Sequence, residues 1–254
     1  MKKICALVLT IVFSSCKYHA PTVNPEESPN AKAAKALLAT TQTPLRIPGK
    51  AYFFGDSITQ GYDGQIVNPR NWVGLVAAFI GWDGYNFGVG GTTLEKNING
   101  VSAPQSMVNR VGEIPVKGAA DKYLFFAYGL NDVGFNTTDL TTTQFTADYQ
   151  YVLGKALALG WQAKDIVLVN IYYCNEQLLL KETGPGGSAT GRLAAFNNAL
   201  SAIAEKNGTH FININTFMKS NGADYLLSND GVHPNETGYA VIAHGIEEEI
   251  RGFQ

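Results

Sequence analysis

Cysteine is scarce in this chain: three in 254 residues, at positions 5, 16 and 174. Two of them fall in the first sixteen residues, so the rest of the chain has no cysteine pair from which to build a disulfide framework. Its stability must come from a core. Charge is sparse as well, 16% of residues, with 19 basic against 21 acidic side chains and no long run of either sign. That balance lacks the basic face that nucleic-acid binding requires. No repeat of solenoid spacing is present. What the chain has is apolar mass, 45% of its residues, enough for one globular domain with a sizeable core.

The amino terminus reads as a targeting segment. Lys2 and Lys3 precede an apolar run from Ile4 to Phe13, then Ser14, Ser15 and Cys16. The run is too short to cross a bilayer as a helix, and residues 1–15 are set apart from the fold. Small residues before a cysteine resemble the lipobox of bacterial lipoproteins, although Phe13 stands where that box usually has an aliphatic residue. The resemblance implies cleavage before Cys16, lipid on its thiol, and an exported protein anchored at the cell envelope. The alternative is plain secretion by conventional cleavage at Ala20-Pro21, which Tyr18, two positions before Ala20, makes less attractive. Residues 16–48 are rich in Pro, Ala, Thr, Asn and Ser and read as a tether, with a helical turn at 31–38. Cys174 is then left without a partner and reads as a small buried hydrophobe.

From residue 49 to 254 the pattern alternates. Strand-like apolar runs lie at 51–54, 85–89, 123–128, 166–173 and 210–214. Helical periodicity is clearest at 142–159, where Phe145, Tyr149, Val152, Ala156 and Leu159 recur at steps of three and four. Thr141 and Gln144 suggest a capping box there, and Gly160 a stop. Further helices are expected at 190–206 and from Asn235 onward, with weaker patterns at 72–80 and 104–111. Alternating strands and helices imply an α/β fold with a parallel sheet covered on both faces.

Four segments carry polar chemistry, each after a strand or in the last loop: Gly55-Asp56-Ser57-Ile58-Thr59, Asn86 to Thr93, Gly129-Leu130-Asn131-Asp132, and Asp230 to Asn235. Such sheets gather their ligands at the carboxyl ends of the strands. A serine nucleophile needs a base, and the base an orienting partner. Of the four histidines, His19 lies in the tether, His210 opens a strand and His244 sits within the last helix. His233 alone occupies a turn-rich loop with a carboxylate, Asp230, three residues before it. Candidate donors to an oxyanion are the backbone N–H groups of Ser57 and Gly91 and the side-chain amide of Asn131.

In this order and spacing the four segments resemble the SGNH/GDSL hydrolases, whose blocks supply Ser, Gly, Asn and His. The resemblance covers the chain from about residue 50 to its end. It implies a three-layer α/β/α sandwich, flavodoxin-like, with about five parallel strands and no metal or other cofactor. Ser57 would be the nucleophile, His233 the base and Asp230 its orienting partner, with Gly91, beside Gly90, and Asn131 completing the oxyanion hole. Ile58 stands where the namesake motif has Leu. Thr59 replaces the closing glycine of the G-x-S-x-G elbow, which argues against the ordinary α/β-hydrolase fold.

Members of that family cleave esters and some thioesters on sugars, lipids and acyl peptides. Asp63, Gln65, Arg70, Trp72, Tyr172 and Tyr173 are expected near the site, with the loop from 175 to 191. Polar groups beside flat aromatics suit a sugar ring, so deacetylation of a glycan ester is the leading expectation. Leu178-Leu179-Leu180 supports a rival, an acyl groove for a lysophospholipid or another long-chain ester or thioester. A turn packed on the core is the plainer reading of those leucines. A non-catalytic glycan-binding lipoprotein on the same fold is the reading from another class.

Overall fold

The computed structural model describes residues 28–40, 43–136, 141–181 and 191–253. The targeting segment, Cys16, His19 and most of the 175–191 loop lie outside them. In chain order the elements are α1 (Pro29–Leu38), β1 (Gly49–Gly55), α2 (Ser57–Gln60), α3 (Trp72–Ile80), β2 (Trp82–Gly88), β3 (Asn97–Ile98), β4 (Val101–Ser102), β5 (Asp121–Ala127), α4 (Leu130–Phe135), α5 (Thr143–Ala158), β6 (Ile166–Val169), α6 (Glu176–Lys181), α7 (Arg192–Asn207), β7 (His210–Ile212), α8 (Ile214–Ser220) and α9 (Glu236–Arg251).

Five strands form one parallel sheet in the order β2-β1-β5-β6-β7, while β3 and β4 make a small antiparallel hairpin. After β1 the chain crosses to β2 on one side, and the next strand of the sheet, β5, lies on β1's other side. The carboxyl ends of β1 and β5 therefore border the topological switch point, where such sheets open a crevice. Helices α3 and α9 pack together, as do α5 and α7, giving the expected α/β/α layers.

Successive side chains of β1 point to opposite faces, and the sheet uses this to bury aromatics on both. Phe53 stacks on Phe125 at 4.6 Å and meets Trp72 of α3 edge-on at 5.4 Å. Phe54, one residue later, stacks on Phe87 at 4.7 Å. Each such ring contributes burial of the order of 2 kcal/mol.

Strand and helix boundaries moved where side-chain amides intervene. The run expected to continue to residue 173 ends at Val169, because Ile171 N–H donates to Asn197 Oδ1 (2.8 Å) and Ile171 C=O accepts from Asn215 Nδ2 (3.0 Å). Asn213 caps α8 through Thr216 N–H, which stops β7 at Ile212. The capping box at Thr141 does not form: Gln144 Nε2 donates to Asp148 Oδ1 at 2.7 Å instead. Residues 104–110 are turns and bends rather than an α-helix, and a 3-10 helix begins only at Val111 (Val111–Glu113); Met107 N–H bonds Thr93 C=O (2.9 Å) across to a neighbouring loop. Within the segment assigned to a tether, α1 packs on α9 with Ala31 and Ala34 fully buried, and Ile47 N–H donates to Ile80 C=O at 2.7 Å.

Gly88 ends β2 directly under α2. A Cβ there would stand 2.2 Å from Gln60 N and 2.6 Å from Thr59 C, both backbone atoms that cannot swing away. Gly88→Ala should lower the free energy of unfolding by about 3 kcal/mol or more, at the upper end for overpacking. Urea denaturation of the two proteins measures it.

Candidate active site

The site begins with a turn that Gly55 and Asp56 make possible. Gly55 leaves room for Thr59, whose Oγ1 would lie 2.0 Å from any Cβ at that position. Asp56 then caps α2, accepting from Ile58 N–H at 3.0 Å, and Gly61 ends the helix in the left-handed conformation at φ 106°. Ser57 is thus the first residue of a one-turn helix at the carboxyl end of β1.

Its hydroxyl meets the last loop of the domain. Ser57 Oγ lies 2.9 Å from His233 Nε2, and His233 Nδ1 lies 2.6 Å from Asp230 Oδ2. The other carboxylate oxygen, Asp230 Oδ1, accepts the N–H groups of Val232 and His233, each at 2.9 Å. Burial would raise the Asp230 pKa, but those two N–H bonds and the imidazole outweigh it and hold the group below its ordinary value. It is ionised at neutral pH and fixes the imidazole so that Nε2 faces the serine. Such a chain can draw a proton from a hydroxyl as that hydroxyl attacks a carbonyl.

The loop after β2 supplies a further part of the wall. Gly90 N–H is occupied by Gln60 Oε1 at 3.0 Å, whereas Gly91 N–H makes no hydrogen bond to the described residues. Gly91 takes φ +72°, a conformation glycine adopts without strain. Asn131, in the first turn of α4, donates one amide hydrogen to Thr92 C=O at 2.8 Å and keeps the other. Its neighbour Asp132 is fully buried and accepts from Leu94 N–H (3.0 Å) and Glu95 N–H (2.8 Å), which ties the same loop down.

Ser57, Gly91, Asn131, Asp230 and His233 together line a cavity of about 400 Å³. Its remaining wall is Gln60, Tyr62, Gly90, Leu130, Phe135, Leu179 and Val232. None of the six residues expected near the site lines it. Trp72 and Tyr172 are core residues, 0% and 2% exposed. Arg70 pairs with Glu236 at the surface. Asp63 is spent on a turn, accepting from Gln65 and Ile66 N–H, and Tyr173 donates to Asp224. The apolar lining was missed because Leu130 and Val232 adjoin the polar motifs without belonging to their chemistry. Leu179 alone carried a signal, in the triple leucine. Cys174 is buried and its thiol is pushed up to about 12 by that burial, so it is no nucleophile. Among the described residues no cluster of His, Cys, Asp and Glu could hold a metal ion.

Residues 53–241 match the model of the GDSL-like lipase/acylhydrolase family, and the chain belongs to that family of carboxylic ester hydrolases. Solved structures share the fold. A lipase/acylhydrolase from Enterococcus faecalis is 20% identical, with a TM-score of 0.61 over 80% of this chain and 96% of that one. A carbohydrate acetylesterase from Sinorhizobium meliloti is 15% identical, with a TM-score of 0.65 over 81% of this chain and 100% of that one. The native aryl esterase of M. smegmatis, also 15% identical, gives 0.62 over 81% and 100%. No curated protein matches by sequence.

Burial raises the Asp56 carboxyl from 3.8 to about 7. Between about pH 4 and 7 the unfolded chain has released a proton that the folded one keeps, so this group makes stability fall as pH rises through that window. Asn can cap α2 equally well, so Asp56→Asn should flatten that slope. Urea midpoints across the window check it; a slope equal to the parent's would contradict it.

Proposed function

We propose that the protein is a serine esterase that works through an acyl-enzyme and removes acetyl groups from a carbohydrate. The observation that carries the first part is the unbroken chain Ser57–His233–Asp230, at 2.9 and 2.6 Å, opening into a cavity that Gly91 and Asn131 also line. Ser57 Oγ attacks the ester carbonyl while His233 Nε2 takes its proton. Charge gathers on the former carbonyl oxygen, and the N–H groups of Ser57 and Gly91 and the second amide hydrogen of Asn131, all on the lining of the same cavity, are the donors that would take it up. Collapse breaks the bond to the alcohol, which leaves with the proton from His233. Water then enters, gives a proton to His233, and releases the acid by the same steps in reverse order.

The carbohydrate assignment draws support from the acetylesterase among the structural neighbours and from the signs of export in the sequence. One observation favours a second reading. Leu130, Phe135, Leu179 and Val232 make much of the wall apolar, which suits a longer acyl chain, as in a lysophospholipase. Aryl esters of rising acyl length separate the two: preference for acetyl supports deacetylation, and rates that climb with chain length hand the site to the rival. In either case Ser57→Ala should lose at least about 10³-fold in kcat/KM. Turnover that survives this change would remove Ser57 as the nucleophile, and a parent protein inert on every ester of the series would return the chain to the non-catalytic, glycan-binding reading.

We further propose that Cys16 carries lipid and holds the enzyme at the cell envelope. The support is Lys2 and Lys3, the apolar run to Phe13, and Ser14-Ser15 before the cysteine. Labelled fatty acid should enter the full chain in a bacterial host and fail to enter Cys16→Ser.

A further inference from the structure

In the acyl transfer described above, the departing alcohol must take its proton from His233 Nε2. The alcohol half of the ester therefore sits beside His233, and the wall residue against that imidazole is Tyr62. Its ring centroid lies 4.9 Å from that of His233 with the planes at 88°.

Tyr62 is held unusually firmly for a loop residue. Its N–H donates to Ser57 C=O at 2.8 Å, its C=O accepts from Tyr239 OH at 2.6 Å, and it bridges to Val67 across the turn. Tyr239 is itself fully buried in α9. The Tyr62 phenol, by contrast, makes no hydrogen bond to any described residue, though the half-buried side chain lines the cavity. A rigid ring that ends in an unspent hydroxyl, beside the atom that protonates the leaving group, is a recognition element. In the His233 loop the other side chains that line the cavity are Asp230, committed to His233 and backbone, and Val232, which has no polar atom.

We propose that Tyr62 selects the alcohol half of the substrate, its hydroxyl bonding a second hydroxyl of a polyhydroxylated alcohol and its ring packing on the carbon frame. This rests on the esterase reading but not on the identity of the sugar. The residue acts on acylation alone, because the alcohol has gone before water attacks the acyl-enzyme.

The test compares esters that share the acetyl group and differ in the alcohol: glycerol monoacetate and a mono-acetylated methyl glycoside against ethyl acetate. In Tyr62→Phe the ratio of kcat/KM for the polyhydroxylated esters over ethyl acetate should fall about tenfold, the worth of one hydrogen bond to a substrate hydroxyl. A ratio within twofold of the parent's overturns the proposal, whatever happens to the absolute rates. An equal loss in the deacylation rate of the acetyl-enzyme also overturns it, since Tyr62 would then merely support His233. Ser57→Ala, run beside it, keeps the two readings apart: surviving turnover there removes the Ser57 acyl-enzyme on which the proposal rests, whereas its loss with an unchanged ratio removes only the role of Tyr62.

Discussion

The first residue of α2 can carry its hydroxyl into the cavity only because that helix sits directly on the end of the sheet. Two hydrogens permit it. At Gly55 and Gly88, paired across β1 and β2, any Cβ would lie within 2.2 Å of an atom of α2. The contact is steric, so it admits no graded substitute. Once α2 is seated, Ser57 C=O accepts from Gly61 and Tyr62, which turns the chain back under the His233 loop. The position of the serine and the path of the segment that flanks it are one decision.

Buried acids make the second commitment. Asp56 and Asp132 are almost wholly enclosed and accept from backbone N–H groups: Asp56 through Oδ1 from α2, Asp132 through both oxygens from the loop that carries Gly91. Burial raises both, Asp132 to about 6, which is the cost of using carboxyl groups as internal braces. Asp148 extends the same bracing through Lys96 N–H at 3.0 Å. Asp230 shows the opposite balance. Two N–H bonds and a histidine keep its charge in a half-buried loop, where the imidazole needs an anion beside it.

Legibility followed the range of the interaction. The four polar segments were readable because each is a local device: a cap, a glycine turn, an Asx turn. Their convergence at the β1/β5 switch point follows from strand order, which alternation of strands and helices suggests and the family resemblance makes specific. The pocket wall was not readable. Tyr172 and Trp72 looked like ligand-binding aromatics but pack 6.4 Å apart in the core. Phe135 and Leu179, from helices more than forty residues apart, line the cavity instead. Sequence neighbours of a catalytic residue share its backbone, not its cavity. Edge effects explain the misplaced strand ends too, since Asn170, Asn197 and Asn215 take over backbone partners that a ladder would have used.

The sequence by itself determined the class of fold, the chemistry-bearing residues and their order, because periodicity, turns and caps are written in neighbours a few positions apart. It also marked the apolar amino-terminal run and the cysteine after it. Only the tertiary structure decided that Asp230 points both oxygens at one loop, that Gly90 is spoken for and Gly91 is not, and that Tyr62 rather than Arg70 or Tyr173 stands over the imidazole. Those outcomes depend on which surfaces meet when the layers close, and packing of that kind is set by the volume and shape of side chains far apart in the chain.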